Sequence, residues 1–131
     1  MKTRIVLIGI LKDGDLFLAV KRNENDNLFP VAWEFPRGHL EDSETLKDGL
    51  KRELEEEIDF TDDFEPIITH YYDEVKEKNE ELVHDLEIDF IVNVDSSKVN
   101  VKLSNEHCDY KWVTKDSDYL DDFIKDKLSN I

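Results

Sequence analysis

Residues 38–60 read GHLEDSETLKDGLKRELEEEIDF, a loop running into a helix whose second half carries Glu53, Glu55, Glu56 and Glu57. Counted from Leu46, Leu50, Leu54 and Ile58 fall at about 40°, 80° and 120°, whereas Glu56, Glu53 and Glu57 fall at about 280°, 340° and 20°. An apolar stripe that faces a core thus adjoins an arc of carboxylates, and Glu55, at about 180°, points away from that arc. Glu53 lies one turn from both Glu56 and Glu57, and each like-charge pair at this spacing destabilises a helix by about 0.2–0.5 kcal/mol. Their position near the C-terminus also opposes the helix dipole. A bound cation would offset both penalties. Thr45, with Asp48 three residues on, resembles a capping box with Asp in place of Glu or Gln, which starts the helix near Leu46. Gly49 inside the helix costs about 1 kcal/mol relative to Ala, a sign either of close backbone packing or of simple tolerance.

Upstream, Ile5 to Leu11 and Leu16 to Val20 are apolar runs around the turn Lys12-Asp13-Gly14-Asp15, the pattern of a hairpin buried on both faces. Residues 21–32 read as a loop, and Trp33-Glu34-Phe35 as a short strand ended by Pro36. Downstream, Pro66 to Tyr72 reads as a strand, 76–81 (KEKNEE) as a solvated turn or loop, and the alternation from Leu82 to Val94 as a long strand with one apolar face. Asp85, Glu87 and Asp89 on that strand read as a solvent-facing edge or as a source of one more ligand. Val101 to Leu103 and Tyr110 to Val113 are further short strands. Leu120, Phe123, Ile124 and Leu128 recur at helical spacing and dock a last helix on the sheet. A mixed sheet with one helix in mid-chain and one at the end is an α/β sandwich.

With 131 residues the chain reads as a single domain, 1–131, able to bury about two-thirds of its unfolded surface. No apolar run approaches membrane-spanning length and the N-terminus lacks a cleavage signal, so the expectation is a soluble, cytoplasmic protein without a membrane partner. The single Cys108 excludes an internal disulfide framework and a multi-cysteine zinc site. A formal charge of −16 repels nucleic-acid backbones, so polymeric nucleic acid is not expected as a partner. An anionic small molecule needs local help, which a divalent cation held by carboxylates supplies.

Gly38, Glu44, Arg52, Glu53, Leu54, Glu56, Glu57 and Phe60 together resemble the Nudix box, G-x5-E-x7-R-E-U-x-E-E-x-G-U, where U is aliphatic or bulky apolar. The one departure is Asp59 where the family has Gly; Asp tolerates the left-handed conformation common after a helix at a cost of about 1 kcal/mol. Trp33-Glu34-Phe35-Pro36-Arg37-Gly38 is similar to the segment that leads into the box in many members. The resemblance implies an α/β/α sandwich and a pyrophosphohydrolase dependent on Mg2+ or Mn2+, in which water attacks a phosphorus of a nucleoside polyphosphate. It also implies Glu53, Glu56, Glu57 and the Gly38 carbonyl as metal ligands, with Glu53 a candidate for deprotonating the water. Glu44 and Arg52 become a brace between loop and helix, with Glu44 able to reach the metal's surroundings. A catalytically weak nucleotide-binding sensor on the same fold is the alternative.

The stretch VKLSNEHCDYKWV (101–113) is similar to a Glu-His, Tyr and Trp pattern found late in several Nudix subfamilies. Among these are asymmetric dinucleoside tetraphosphatases, whose Pro-Lys-Gly-His is echoed by Pro36-Arg37-Gly38-His39, and certain nucleoside triphosphate pyrophosphohydrolases. Glu106 then reads as an extra ligand or base, or as a loop carboxylate; Tyr110 reads as a stacking surface for a base, or as core. Arg37 is the best-placed cation for a polyphosphate because its planar fork takes phosphate oxygens in pairs. Lys21, Arg22 and His39 are further substrate contacts or ordinary surface groups. His70 and His84 read as structural. Oligomeric state is not specified.

Overall fold

The computed structural model describes residues 1–23, 33–129 and 131. Of the expected loop at 21–32, residues 21 and 22 instead continue the preceding strand, and residues 24–32 lie outside the described set, as does the side chain of Phe123. Strand β1 (Lys2–Asp13) turns tightly into β2 (Leu16–Arg22), and the short strands β3 (Trp33–Glu34) and β4 (Arg37–His39) follow. Helix α1 (Leu46–Ile58) precedes the long strands β5 (Ile67–Lys78) and β6 (Glu81–Asn93), then a 3-10 turn, β7 (His107–Val113) and helix α2 (Asp122–Leu128).

The sheet runs β3-β2-β1-β6-β5, with β4 paired to β1 and β7 to β2. Among the described residues only β1 and β6 are parallel, in register from Lys2 opposite Val83 to Lys12 opposite Asn93. β1 and β2 share a ladder only beside their turn, at Lys12–Phe17 and Asp13–Leu16. Beyond it they splay, β1 pairing with β4 and β2 with β7 and β3.

β1 is buried on both faces because each face has its own helix. Leu7 and Leu11 join Leu50, Leu54 and Ile58 of α1 in one cluster, and Ile8 and Ile10 join Ile124 and Leu128 of α2 in the other. This is the α/β/α sandwich with a mixed sheet. Fully burying side chains such as Leu50, Leu54 and Ile58 stabilises the α1 contact by about 1.5–3 kcal/mol each. Gly49 lets α1 sit close: a Cβ there would meet Leu40 at 2.6 Å and Leu7 at 3.0 Å.

Three expectations need correction. The charged stretch 76–81 is mostly strand; β5 extends to Lys78, and a two-residue turn with positive φ at Asn79 (53°) and Glu80 (68°) leads into β6. That is the backbone of a tight hairpin turn, and solvent-exposed strands carry charge readily. Val101 to Leu103 form no ladder; instead the Lys102 N–H donates to the Ile58 carbonyl at 3.0 Å, tying the segment to the end of α1. Finally, the face of β6 that carries Asp85, Glu87 and Asp89 is not a solvent-facing edge. Asp89 is 1% exposed beneath α2, its carboxylate bonded by Lys127 Nζ at 3.2 Å.

Candidate active site

Thr45 caps α1, its hydroxyl accepting from the Asp48 N–H at 3.1 Å. The stripe that this helix buries contains two glutamates as well as leucines: Glu53 and Glu57 are 8% and 5% exposed, while Glu55 and Glu56 face solvent. Arg52 joins the helix to the preceding loop. Its Nε and Nη2 donate to the two oxygens of Glu44, both at 2.8 Å, and Nη2 also donates to the His39 carbonyl at 2.9 Å. Its Nη1 donates to Glu53 at 2.8 Å and to Glu56 at 3.3 Å. The guanidinium fork, aided by the Glu41 N–H, holds the Glu44 carboxyl down to about 2.

Gly38, opposite Leu7 on β4, has the Glu53 carboxyl group lying directly against its Cα; a Cβ at this position would fall inside that carboxyl. Burial raises the Glu53 pKa, the neighbouring charges of Glu56 and Glu57 push in the same direction, and Arg52 opposes them. Glu53 is thus a carboxylate with enhanced proton affinity against a strand glycine.

The segment before β7 supplies the opposite wall. The Ser104 N–H donates to the Glu57 carbonyl at 3.1 Å and its hydroxyl donates to Glu57 Oε2 at 3.2 Å. His107 is buried between two carboxylates, with Nε2 3.0 Å from Glu34 and Nδ1 3.2 Å from Glu57. Nδ1 is near enough to pair by charge, yet off the axis of a hydrogen bond. Burial alone would lower the His107 pKa, but the Glu34 and Glu57 carboxylates outweigh it and raise it to about 9. Burial likewise pushes Glu57 up and is outweighed, chiefly by His107, so that its pKa is lowered. Contact with Glu57 raises that of Glu106. One donor atom each from Glu57, Glu106 and His107 lie within 4.8 Å of one another, a compact donor set for a cation.

Gly38, Glu34, Glu106 and His107 line an open cleft of about 710 Å³, formed where β1 and β2 splay, whereas Glu44, Arg52, Glu53, Glu56 and Glu57 are absent from its lining and Glu53 adjoins it through Gly38. Arg22, Arg37, Gly38, His39 and Glu106 line it, as do Trp33, Glu34 and Phe35. Arg22 reaches both oxygens of Glu34 at 3.4 Å. Lys21 and Tyr110 are absent from the lining; Lys21 sits in the β2 ladder opposite Trp33 and Asp109, and Tyr110 is 41% exposed on β7. Asp85 and Glu87 are absent from the lining, paired with Arg4 and Lys127. Sequence reasoning did not single out His107, Glu34, Asp121 and Lys127, all on the lining. Only His107 had a signal, its place in the Glu-His pair.

A family model described as the NUDIX domain matches residues 1–126. A nucleoside triphosphatase, NudI, from Escherichia coli O139:H28 is 24% identical over 125 residues, covering 86% of this chain and 83% of its own. The crystal structure of a MutT protein from Methanosarcina mazei superposes with a TM-score of 0.68 at 27% identity, over 98% of this chain and 92% of that one. That of a MutT Nudix hydrolase from Burkholderia pseudomallei shares the fold at a TM-score of 0.76 and 17% identity, over 100% and 99% of the two chains. With the family domain spanning nearly the whole sequence, and Gly38, the first residue of the box, on the lining of the cleft, the chain belongs to the Nudix family of hydrolases.

Proposed function

We propose that the protein hydrolyses a phosphoanhydride bond of a nucleoside triphosphate in the cytoplasm, with Mg2+ or Mn2+ as cofactor. The observation that carries this reading is the buried Glu53 carboxyl, raised in proton affinity and held by Arg52 against Gly38, which lines the open cleft. The donors present suit a hard cation, since Glu53, Glu56, Glu57, Glu106 and the Gly38 carbonyl all offer oxygen and leave several negative charges to offset. Glu53, Glu56, Glu57 and the Gly38 carbonyl would hold the metal, with Glu106 beside them. Bound there, it would neutralise phosphoryl oxygens and acidify a water.

Glu53 accepts a proton from the attacking water, whose oxygen forms a new bond to phosphorus as the bridging P–O bond breaks and the leaving phosphate takes the electron pair. Glu44 and Arg52 keep that carboxylate in place. Arg37 and His39 lie on the lining where a polyphosphate would be gripped, and Arg37 is suited to paired contacts with phosphate oxygens. Trp33 offers aromatic surface for the base. The preference for a triphosphate follows the activity named for the E. coli relative; a dinucleoside polyphosphate fits the same chemistry. The charge of −16 argues against a polynucleotide, and no helix among the described residues is long and apolar enough to cross a membrane.

The test is a hydrolysis screen with either metal over nucleoside triphosphates, dinucleoside polyphosphates and nucleotide sugars, with products identified by phosphorus NMR. Glu53→Gln should lower kcat by about 10²–10⁴-fold with the fold intact by circular dichroism. An unchanged rate removes Glu53 from its role. Nucleotide binding without product from any substrate would make the chain a sensor.

A further inference from the structure

We propose that the outer edge of β5 is the contact surface for a second copy of this chain, the two β5 strands pairing antiparallel about a two-fold axis to continue the sheet. β5 ends the strand order, and all twelve of its residues are exposed. A terminal strand presents unpaired backbone N–H and C=O groups, and natural proteins usually blunt such an edge with charge or proline or by covering it. The first half of β5, IITHYY (67–72), has no proline and no Asp, Glu, Lys or Arg, in a chain whose residues are 38% charged.

The side chains it leaves in water are large. Ile67, Ile68, Tyr71, Tyr72 and Val75 are 52%, 56%, 66%, 48% and 55% exposed. In the β5–β6 register, Ile68 and Tyr71 lie opposite Phe90 and Ile88 of the α1-side core, so the apolar surface continues outward from that core past the area the helix covers. Taking 150–250 Å² for each aromatic ring side chain and somewhat less for the aliphatic ones, these five residues leave roughly 500 Å² per copy in water. Two copies together offer about 1,000 Å² of such surface, the size at which specific interfaces begin.

Charge excludes the registers centred on the second half of β5 and leaves those centred on its neutral half, of which the one at Tyr72 has the longest overlap. Residues directly opposite one another in an antiparallel pair share a face, and a two-fold pairing sets residues equally spaced about its centre against each other. Centred on Tyr72, it places His70 opposite the partner's Glu74 and Tyr71 opposite the partner's Asp73, with no like charges facing. Centres at Asp73, Glu74 and Lys76 oppose each of those residues to its own copy, and a centre at Val75 sets Asp73 against the partner's Glu77. The neutral segment is where a strongly acidic chain can approach itself.

Sedimentation velocity from micromolar to several hundred micromolar protein, at low and high salt, tests this. A monomer–dimer equilibrium is expected, strengthened by salt because screening weakens the repulsion between two acidic chains. Tyr72→Glu should raise the dissociation constant at least tenfold, with turnover per chain unchanged, since Tyr72 lies outside the cleft. Hydrogen exchange on the wild-type chain gives an independent reading: the β5 amides that point away from β6 should slow as concentration rises. A monomer under every condition overturns the proposal, as does a dimer whose β5 amides stay unprotected at high concentration.

Discussion

His107 is the residue whose role least resembles its appearance in the sequence. On a strand it would pass for a packed core residue, yet its ring bridges Glu34 and Glu57. Its folded pKa, about 9, lies above its ordinary value of 6.5. The stabilisation it contributes is therefore fully present below pH 6.5 and is lost as pH rises through 9. At 1.36 kcal/mol per unit the loss is at most about 3 kcal/mol. Urea titrations of the metal-free protein across this window should show stability falling, and His107→Asn should flatten the profile; a flat wild-type profile would show that the ring is not charged between the carboxylates. The neighbouring glutamates were legible because the loop and helix that carry them are contiguous in sequence, so spacing alone set their angular positions. His107 was not, since Glu34 lies 73 residues away and the contact exists only once β7 has paired with β2.

Among the elements, α1 was legible at both ends. Thr45 caps its start, and Asp59 adopts the left-handed conformation after it, with φ 59° and ψ 33°, donating its N–H to the Glu55 carbonyl at 3.0 Å. Asp in this conformation is strained relative to Gly, and its carboxylate sits at the negative end of the helix dipole. Asp59→Gly relieves both, against a smaller loss through the greater freedom of the unfolded chain. The substitution should stabilise the protein by about 0.5–1 kcal/mol, or about 3–5 °C in Tm, with turnover unchanged. A lower Tm would show that the Asp59 side chain makes a contact worth more than the strain. The strands were less legible where periodicity was not the deciding factor. The end of β5 is charged on an exposed hairpin, so nothing apolar marked it as strand. Val101 and Leu103 alternate like a strand, but they pack against the α1-side core from a segment bonded to the helix end.

At the scale of the whole molecule, the sandwich followed from one buried hairpin and two amphipathic helices, but the position of α2 over the parallel β1–β6 pair did not. That position turns the polar side of β6 inward and leaves Asp89 buried, with Glu87 beside it and Lys127 of α2 bonded to both. Burial raises the Asp89 pKa, and the Lys127 charge holds it back. Removing one member of a buried pair costs more than the pair contributes, because the other charge is left desolvated. Lys127→Met should therefore destabilise the protein by about 3–5 kcal/mol at neutral pH. The deficit should shrink as pH falls, since the stranded Asp89 can then take up a proton. Lys127→Met combined with Asp89→Asn should recover much of the loss for the same reason. Urea unfolding of the two variants at pH 5 and at pH 7 measures all three effects. Equal destabilisation at both pH values in the single variant would show that Lys127 acts through packing of its aliphatic stem and not through its charge.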